Sequence, residues 1–292
     1  MEELDLAPLV DKSKLVVTDA PSSYFNVARW KGNQLTQVDD CLAEEVPIAL
    51  IYNGISHAVM LATPLDLEDF ALGFSLSEGI LQNRHELYGV EVKLQKSGIE
   101  LYCEISAERF YGLKERRRSL VGRTGCGLCG AENLAQALRI PSQQSLAEND
   151  TNLIGNLLKD TSIHAAYRSI ATQQTLQIAT GATHACAWIN HAGEVKLVRE
   201  DVGRHNAMDK LIGAMARAQP DEQGFVLTTS RASYEMVQKV ASAGLNVLAA
   251  ISAPTGLAVR MAQQYGVTLV GFLRQNQYVV YTYPERIEHS NI

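Results

Sequence analysis

The sequence predicts an α/β protein in two parts. A small α+β domain spans residues 21–120, and a larger α/β domain spans 151–292. A cysteine-bearing loop, a helix and a linker at 121–150 join them, and residues 1–20 form a flexible N-terminus. Three observations carry this reading. The chain has 292 residues, long for one hydrophobic core. Its first third holds strand pairs around a single helical pattern, which suits an α+β unit. Its second half alternates strand and helix, the pattern of a mostly parallel sheet covered on both faces.

The elements follow in order. Residues 46–52 and 55–61 read as strands around Asn53-Gly54, the strongest short hairpin signal. Thr63-Pro64 then reads as an N-cap and a first-turn proline, with Asp66 and Glu68 favouring the helix start. Leu67, Phe70, Ala71 and Phe74 give that helix one apolar face, and Gly79 can end it. A second strand pair, 90–94 and 99–105, turns at Lys96-Ser97-Gly98. Residues 131–138 read as helix, and 141–150, rich in Gln, Ser and Asn, as linker. A helix over 151–159 opens the second half. Strands follow at 184–189 and 194–198, then a helix at 206–218 with Met208, Leu211, Ile212 and Met215 on one face. Strand 224–228 leads into helix 233–243, and strand 247–251 into helix 256–265. Strands 267–272 and 278–283 close the chain.

Composition narrows the function. Net charge is −6, which argues against nucleic-acid binding through an overall basic surface. No apolar run is long enough to cross a bilayer, and the acidic start lacks the features of a secretory signal. A cytoplasmic location is the expectation. The cysteines, Cys41, Cys103, Cys126, Cys129 and Cys186, form an odd, sparse set. That favours reduced thiols over a disulfide framework.

The segment Gly122-Arg-Thr-Gly-Cys-Gly-Leu-Cys-Gly130 concentrates the chemistry. Cys126 and Cys129 sit two residues apart among glycines that admit a large partner. Arg123 and the upstream run Lys114-Glu-Arg-Arg-Arg118 supply cations that lower a thiol pKa. The pair can be half of a zinc site, a redox dithiol, a sulfur carrier or an inert loop pair. Zinc lacks its second ligand pair, because Cys41, Cys103 and Cys186 are isolated and no His-x3–5-His occurs. A thioredoxin-like reading wants a preceding strand, but a basic coil is expected there.

Three segments at predicted strand ends point to a pocket. Arg199-Glu-Asp-Val-Gly-Arg-His-Asn206 places Asp201, Arg204, His205 and Asn206 where they could contact ribose, base or phosphate, or merely cap a helix. Ser230-Arg231-Ala-Ser233 and Ser252-Ala-Pro-Thr-Gly256 each precede a helix, whose N-terminus suits anions, although Ser and Thr there are also ordinary caps. His184-Ala-Cys186 resembles part of a zinc-deaminase signature, but the Glu of His-x-Glu is missing and no Pro-Cys-x-x-Cys follows. Deamination is disfavoured. His184 is either a strand-start histidine or a ligand contact, and Cys186 reads as core.

Taken together, the cysteine loop, Thr183-His184, Glu200-Asp-Val-Gly-Arg-His-Asn-Ala207 with Asp209-Lys210, Ser252-Ala-Pro-Thr255 and Thr268-Leu-Val-Gly-Phe272 resemble the FdhD/NarQ family. These are accessory sulfurtransferases needed for formate dehydrogenase activity. The resemblance implies a cytidine-deaminase-like α/β sandwich as the C-terminal domain, without zinc chemistry. It implies that a cysteine desulfurase loads a persulfide onto Cys126, with Cys129 assisting. The sulfur then passes to the molybdenum of bis(molybdopterin guanine dinucleotide), bound as substrate, with GDP as a partial mimic and no catalytic metal of the protein's own. Cofactor contacts are expected from Phe272, Leu273, Arg274, Gln275, Asn276 and Gln277, with His184, Arg204, Ser230 and Ser252. Formate dehydrogenase is the expected target, a homodimer the expected assembly, and neither nucleic acid nor membrane an expected partner. The rival is a zinc- or dithiol-based binding or redox protein without sulfur transfer.

Overall fold

An antiparallel hairpin, β1 (Ser22–Lys31) and β2 (Gln34–Ala43), leads into the first sheet; sequence patterning gives it no counterpart. The computed structural model describes residues 18–121 and 157–289, with side chains in the first span described to Glu115. Strands β3 (Val46–Tyr52) and β4 (Ile55–Ala62) turn at Asn53 and Gly54, whose φ angles of 44° and 82° are what a two-residue hairpin turn demands. Helix α1 (Leu67–Ser77) follows, then a single 3-10 turn at Arg84–Glu86, and then β5 (Leu87–Gln95) and β6 (Gly98–Ile105). The sheet order is β4-β3-β6-β5, with β3 and β6 parallel at its centre. Alternation puts Ile48, Leu50, Ile99 and Leu101 beneath Phe70 and Phe74 of α1.

Two expectations here need correction. Thr63 does not cap α1; Asp66 occupies the N-cap with φ 52°. Thr63 is fully buried instead, and its backbone and hydroxyl are consumed by the second half of the chain. The basic run is not coil either: α2 (Ala107–Val121) carries its backbone as helix. The pair Cys126/Cys129, the helix expected at 131–138 and the linker at 141–150 lie outside the described residues.

The described end of the helix expected at 151–159 is not helical. Leu158–Lys159 form β7, parallel to β14 (Ile287–Glu288), and Lys159 is extended (φ −71°, ψ 137°) where α3 (Asp160–Ile170) begins. A short α4 (Thr175–Thr180) precedes β8 (His184–Asn190) and β9 (Val195–Asp201). Then come α5 (Arg204–Ala218), β10 (Gly224–Thr228), α6 (Tyr234–Ser242), β11 (Val247–Ala250), α7 (Gly256–Gln264), β12 (Thr268–Arg274) and β13 (Gln277–Val280).

These strands make one six-stranded sheet in the order β13-β12-β11-β10-β8-β9. It is mixed, not mostly parallel: only β10/β11 and β11/β12 run parallel. The reason is loop length. Helical crossovers join β10, β11 and β12, whereas β8–β9 and β12–β13 are joined by short turns that can only make antiparallel neighbours. Both faces are covered as expected. Met208, Leu211, Met236, Val240 and Met261 of α5, α6 and α7 pack on one face, and Ile163, Ala166 and Ile170 of α3 pack on the other. Among the described residues no helix is long and apolar enough to cross a membrane.

Helices α1 and α5 cross where Gly73 meets Gly213, joining the two sheets' cores. Polar groups lock the crossing. Lys239 Nζ reaches Asp209 Oδ1 at 2.8 Å and Ser77 Oγ at 3.0 Å, and Arg199 holds Asp69 at 2.6 Å.

Candidate functional site

One edge of the six-stranded sheet gathers the predicted segments. Strands β9 to β12 end there, and β8, antiparallel to its neighbours, begins there. Backbone bonds stitch the connections side by side. Thr229 N–H donates to Ala185 O at 3.0 Å, Ile251 N–H to Thr228 O at 2.9 Å, and Phe272 N–H to Ser252 O at 3.2 Å. A bridge between Ala232 and Pro254 ties the second and third segments. Residues far apart in sequence thus line one rim, the usual ligand position in open α/β sheets.

Cations dominate this rim. His184 is half-buried at the start of β8; burial, then Arg204, then Arg231 hold its imidazole below the ordinary value of 6.5. Arg204 opens α5, and its Nε is buried with no hydrogen-bond partner among the described residues. Arg231 is exposed. His205 pairs with Glu235 at 2.6 Å, and that pairing keeps the Glu235 carboxyl low. Helix α6 starts at Ser233 with no side-chain cap bond, whereas Thr255 caps α7 by accepting from the N–H of Ala258 at 3.2 Å. The rim offers positive charge and backbone N–H groups, a combination that binds anions.

The residues expected to touch a cofactor divide by orientation. Phe272 sits at φ 51° and is 43% exposed, and Gln275 and Asn276 form the exposed turn before Gln277. Arg274 is exposed, although its Nη1 donates to the carbonyls of Ile251 and Leu273. Ser252 is half-buried and offers its carbonyl to Phe272. Leu273 points the other way, its side chain fully buried among Val247, Ala249 and Val270. Ser230 is likewise turned inward, its hydroxyl donating to Arg231 O and lying 3.0 Å from Thr228 Oγ1.

The Arg199–Asn206 segment is corrected most. Its ends belong to β9 and α5, and only Val202-Gly203 is loop. Asp201 is fully buried: it pairs with Lys210 Nζ at 2.7 Å and accepts from the N–H groups of Thr63 and Gly203. Asn206 donates to Leu61 O at 2.8 Å and to Asp201. Glu200 accepts from the N–H groups of Leu176 and Gln177, capping α4. Asp201 and Asn206 therefore join the two parts of the molecule and are not free to meet a nucleotide. Buried polar groups need partners: Asp201 has Lys210 for its charge, and both Asp201 and Asn206 hydrogen-bond across the joint, to Thr63 and Leu61. Only Arg204 and His205 remain at the rim. Arg231 and Glu235 join them, and the strand-to-helix position of Arg231 is a signal the sequence does carry.

Cys126 and Cys129 lie outside the described residues. Of the others, Cys103 and Cys186 are buried, and burial pushes both thiols up to about 12. Cys186 is core, as expected.

Fold and rim together define an α/β protein with a cationic edge on its mixed sheet. The chain belongs to the FdhD/NarQ family, whose sequence profile matches residues 43–288. It is 55% identical over 92% of its length to the sulfur carrier protein FdhD of Cupriavidus necator, covering 91% of that protein. It is 50% identical over 89% of its length to that of Bordetella bronchiseptica, covering 93% of it. The fold is similar to the crystal structure of a candidate formate dehydrogenase accessory protein from Desulfotalea psychrophila. That match has a TM-score of 0.67 at 23% identity and covers 91% of this chain and 99% of the other.

Proposed function

We propose that this protein is a cytoplasmic sulfur carrier serving formate dehydrogenase. The observation that carries the reading is the identity of about half, over nine-tenths of the chain, to proteins named sulfur carriers. In this reading the Cys126 thiolate attacks the terminal sulfur of a desulfurase persulfide. A new S–S bond forms on Cys126, the donor's S–S bond breaks, and the donor leaves as thiolate. Cys129 assists: its thiolate attacks the inner sulfur of the Cys126 persulfide, a Cys126–Cys129 disulfide forms and the persulfide S–S bond breaks. The outer sulfur leaves at the sulfide level for molybdenum in bis(molybdopterin guanine dinucleotide), held as substrate. The inertness of Cys103 and Cys186 supports placing the reactive sulfur in the Cys126 loop, because a protonated buried thiol is a poor nucleophile.

The cationic rim supports the cofactor half of the proposal. Arg204 and Arg231, with the N-terminus of α6, suit the phosphates of a guanine dinucleotide. Phe272 offers an exposed ring to a base, and Asn276 and Gln277 offer amides to its edge. The six-stranded unit is read as a cytidine-deaminase-like scaffold without deaminase chemistry. Cys186, at the position of the deaminase Glu, is wholly buried.

The test is mass spectrometry after incubation with a cysteine desulfurase and cysteine. One added sulfur is expected on the wild-type chain and none on Cys126→Ala. Uptake by Cys126→Ala, together with retained support of formate dehydrogenase, would falsify the assignment of the acceptor.

A further inference from the structure

The first sheet has two unlike faces. Ile48, Leu50, Ile99 and Leu101 point to α1, so the residues between them point away from it. Register lays that outer face out in rows. Val59 of β4 stands opposite Ala49 of β3, which stands opposite Glu100 of β6, itself opposite Lys93 of β5. Neighbouring rows set Leu61 against Pro47, and Ile51 against Tyr102 and Glu91. The β4–β3 half is therefore apolar and the β6–β5 half polar. Val59 is 62% exposed and Leu61 57%, so no described element covers the apolar half. Adjacent exposed apolar side chains with a polar border mark an interaction surface.

The polar half is acidic. Glu91, Glu100 and Glu104 stand there against a single cation, Lys93. Glu91 already holds that ammonium at 3.0 Å, with the Tyr102 ring centre 4.5 Å from it. Beside them Gly89 opens a depression of about 370 Å³, walled by Ile51, Glu91, Tyr102 and Glu104. Glu104 is exposed and forms no ion pair among the described residues. The depression offers a carboxylate and an aromatic ring to a cation from outside, as Glu91 and Tyr102 serve Lys93 within the chain.

This face also abuts the cationic rim. Leu61 O accepts from Asn206 Nδ2 at 2.8 Å, and Asn206 shares the first turn of α5 with Arg204. That position matters for handing over a cofactor. An enzyme that takes up a dinucleotide must present cations to its phosphates, and Arg204 and Arg231 at the rim repel such cations. An acidic surface next to the rim offsets that repulsion. Resting on the reading of the rim as the cofactor site, we infer that the outer face of the first sheet docks the target enzyme, formate dehydrogenase. Val59 and Leu61 seat an apolar ridge of that enzyme, and Glu91 and Glu104 receive Arg or Lys side chains bordering its cofactor entrance.

Binding of the full chain to cofactor-free formate dehydrogenase, followed by surface plasmon resonance, tests this. Wild type is expected to bind. Val59→Ser/Leu61→Ser and Glu91→Lys/Glu104→Lys should each weaken binding about tenfold or more, the second mainly through the association rate. All four positions are exposed, so both variants should keep the wild-type circular-dichroism spectrum, GDP affinity and sulfur uptake from a desulfurase. Three results would overturn the inference: a wild type that takes up sulfur and binds GDP but not the enzyme, variants that bind the enzyme as wild type does, or variants whose sedimentation mass changes, as for a face between copies. A wild type that binds the enzyme through this face but does not bind GDP would uphold the docking face and overturn only the reading of the rim.

Discussion

Gly73 and Gly213 face one another where α1 crosses α5, and neither position has room for a single added carbon. A Cβ on Gly73 would overlap the carbonyl oxygen of Asp209, and one on Gly213 would overlap that of Asp69. The obstacles are helix backbone, which cannot step aside as a side chain can. Gly73→Ala should therefore destabilise the protein by about 2–3 kcal/mol, within the range for overpacking, and lower Tm by several degrees. Gly112→Ala in α2, where a Cβ meets nothing within 4 Å, should gain about 0.5–1 kcal/mol. Urea unfolding of both variants checks the pair; equal effects would remove the crossing as the cause.

Lys210 and Asp201 form a fully buried ion pair at 2.7 Å that also holds Thr63 from the first sheet's side. Burial pushes the Lys210 ammonium below its ordinary value, while Asp201 opposes that shift. Lys210→Met should leave Asp201 charged and unpaired, costing about 3–5 kcal/mol. Lys210→Met/Asp201→Leu should recover part of this in urea titration. If the double variant is no better than the single, the pair is not the source of the loss.

His184 should titrate below 6.5 in the free protein, because burial, Arg204 and Arg231 disfavour its charged form. The neutral form is thus preferred in the fold. Its contribution to stability is intact above pH 6.5 and falls as pH drops through the lower folded value. Histidine NMR should show the midpoint rising in Arg231→Ala. It should also rise on GDP binding, since added phosphate charge favours the imidazolium. GDP affinity should itself fall in Arg204→Ala. A His184 midpoint indifferent to GDP at saturation would place the nucleotide elsewhere.

Cys103 and Cys186 should resist thiol alkylation at pH 8 in the native protein and react only after unfolding, because both thiols sit near 12. Peptide mapping after iodoacetamide treatment reads this directly. Rapid native labelling of either residue would show that its burial is transient.

Much of the fold is legible in the chain. Asn53-Gly54 needs only local chemistry to turn a hairpin, and the strand–helix alternation from Gly224 to Arg274 needs only periodicity. The family is legible too, because its motifs are short, ordered and local. Two kinds of feature escape. The β1/β2 hairpin carries apolar residues on both faces, so period-2 alternation never marks it. Polar residues in the Glu200–Lys210 motif read as a ligand site because sequence shows charge but not burial. Asp201, Asn206 and Lys210 turn out to be satisfied by partners about 140 residues away.

By itself, then, the sequence determined the Asn53-Gly54 hairpin, the strand–helix alternation from Gly224 to Arg274 and the family. Tertiary structure alone decided which of the dense polar residues face solvent. Arg204, Arg231 and His184 converge on one sheet edge, whereas Asp201, Asn206 and Lys210 join the two halves. The physical reason is that a charge stays buried only where partners meet it. Asp201 and Lys210 pair with each other, but Thr63, which completes their hydrogen bonds, and Leu61, which Asn206 reaches, come from a segment of chain that no local pattern links to the motif.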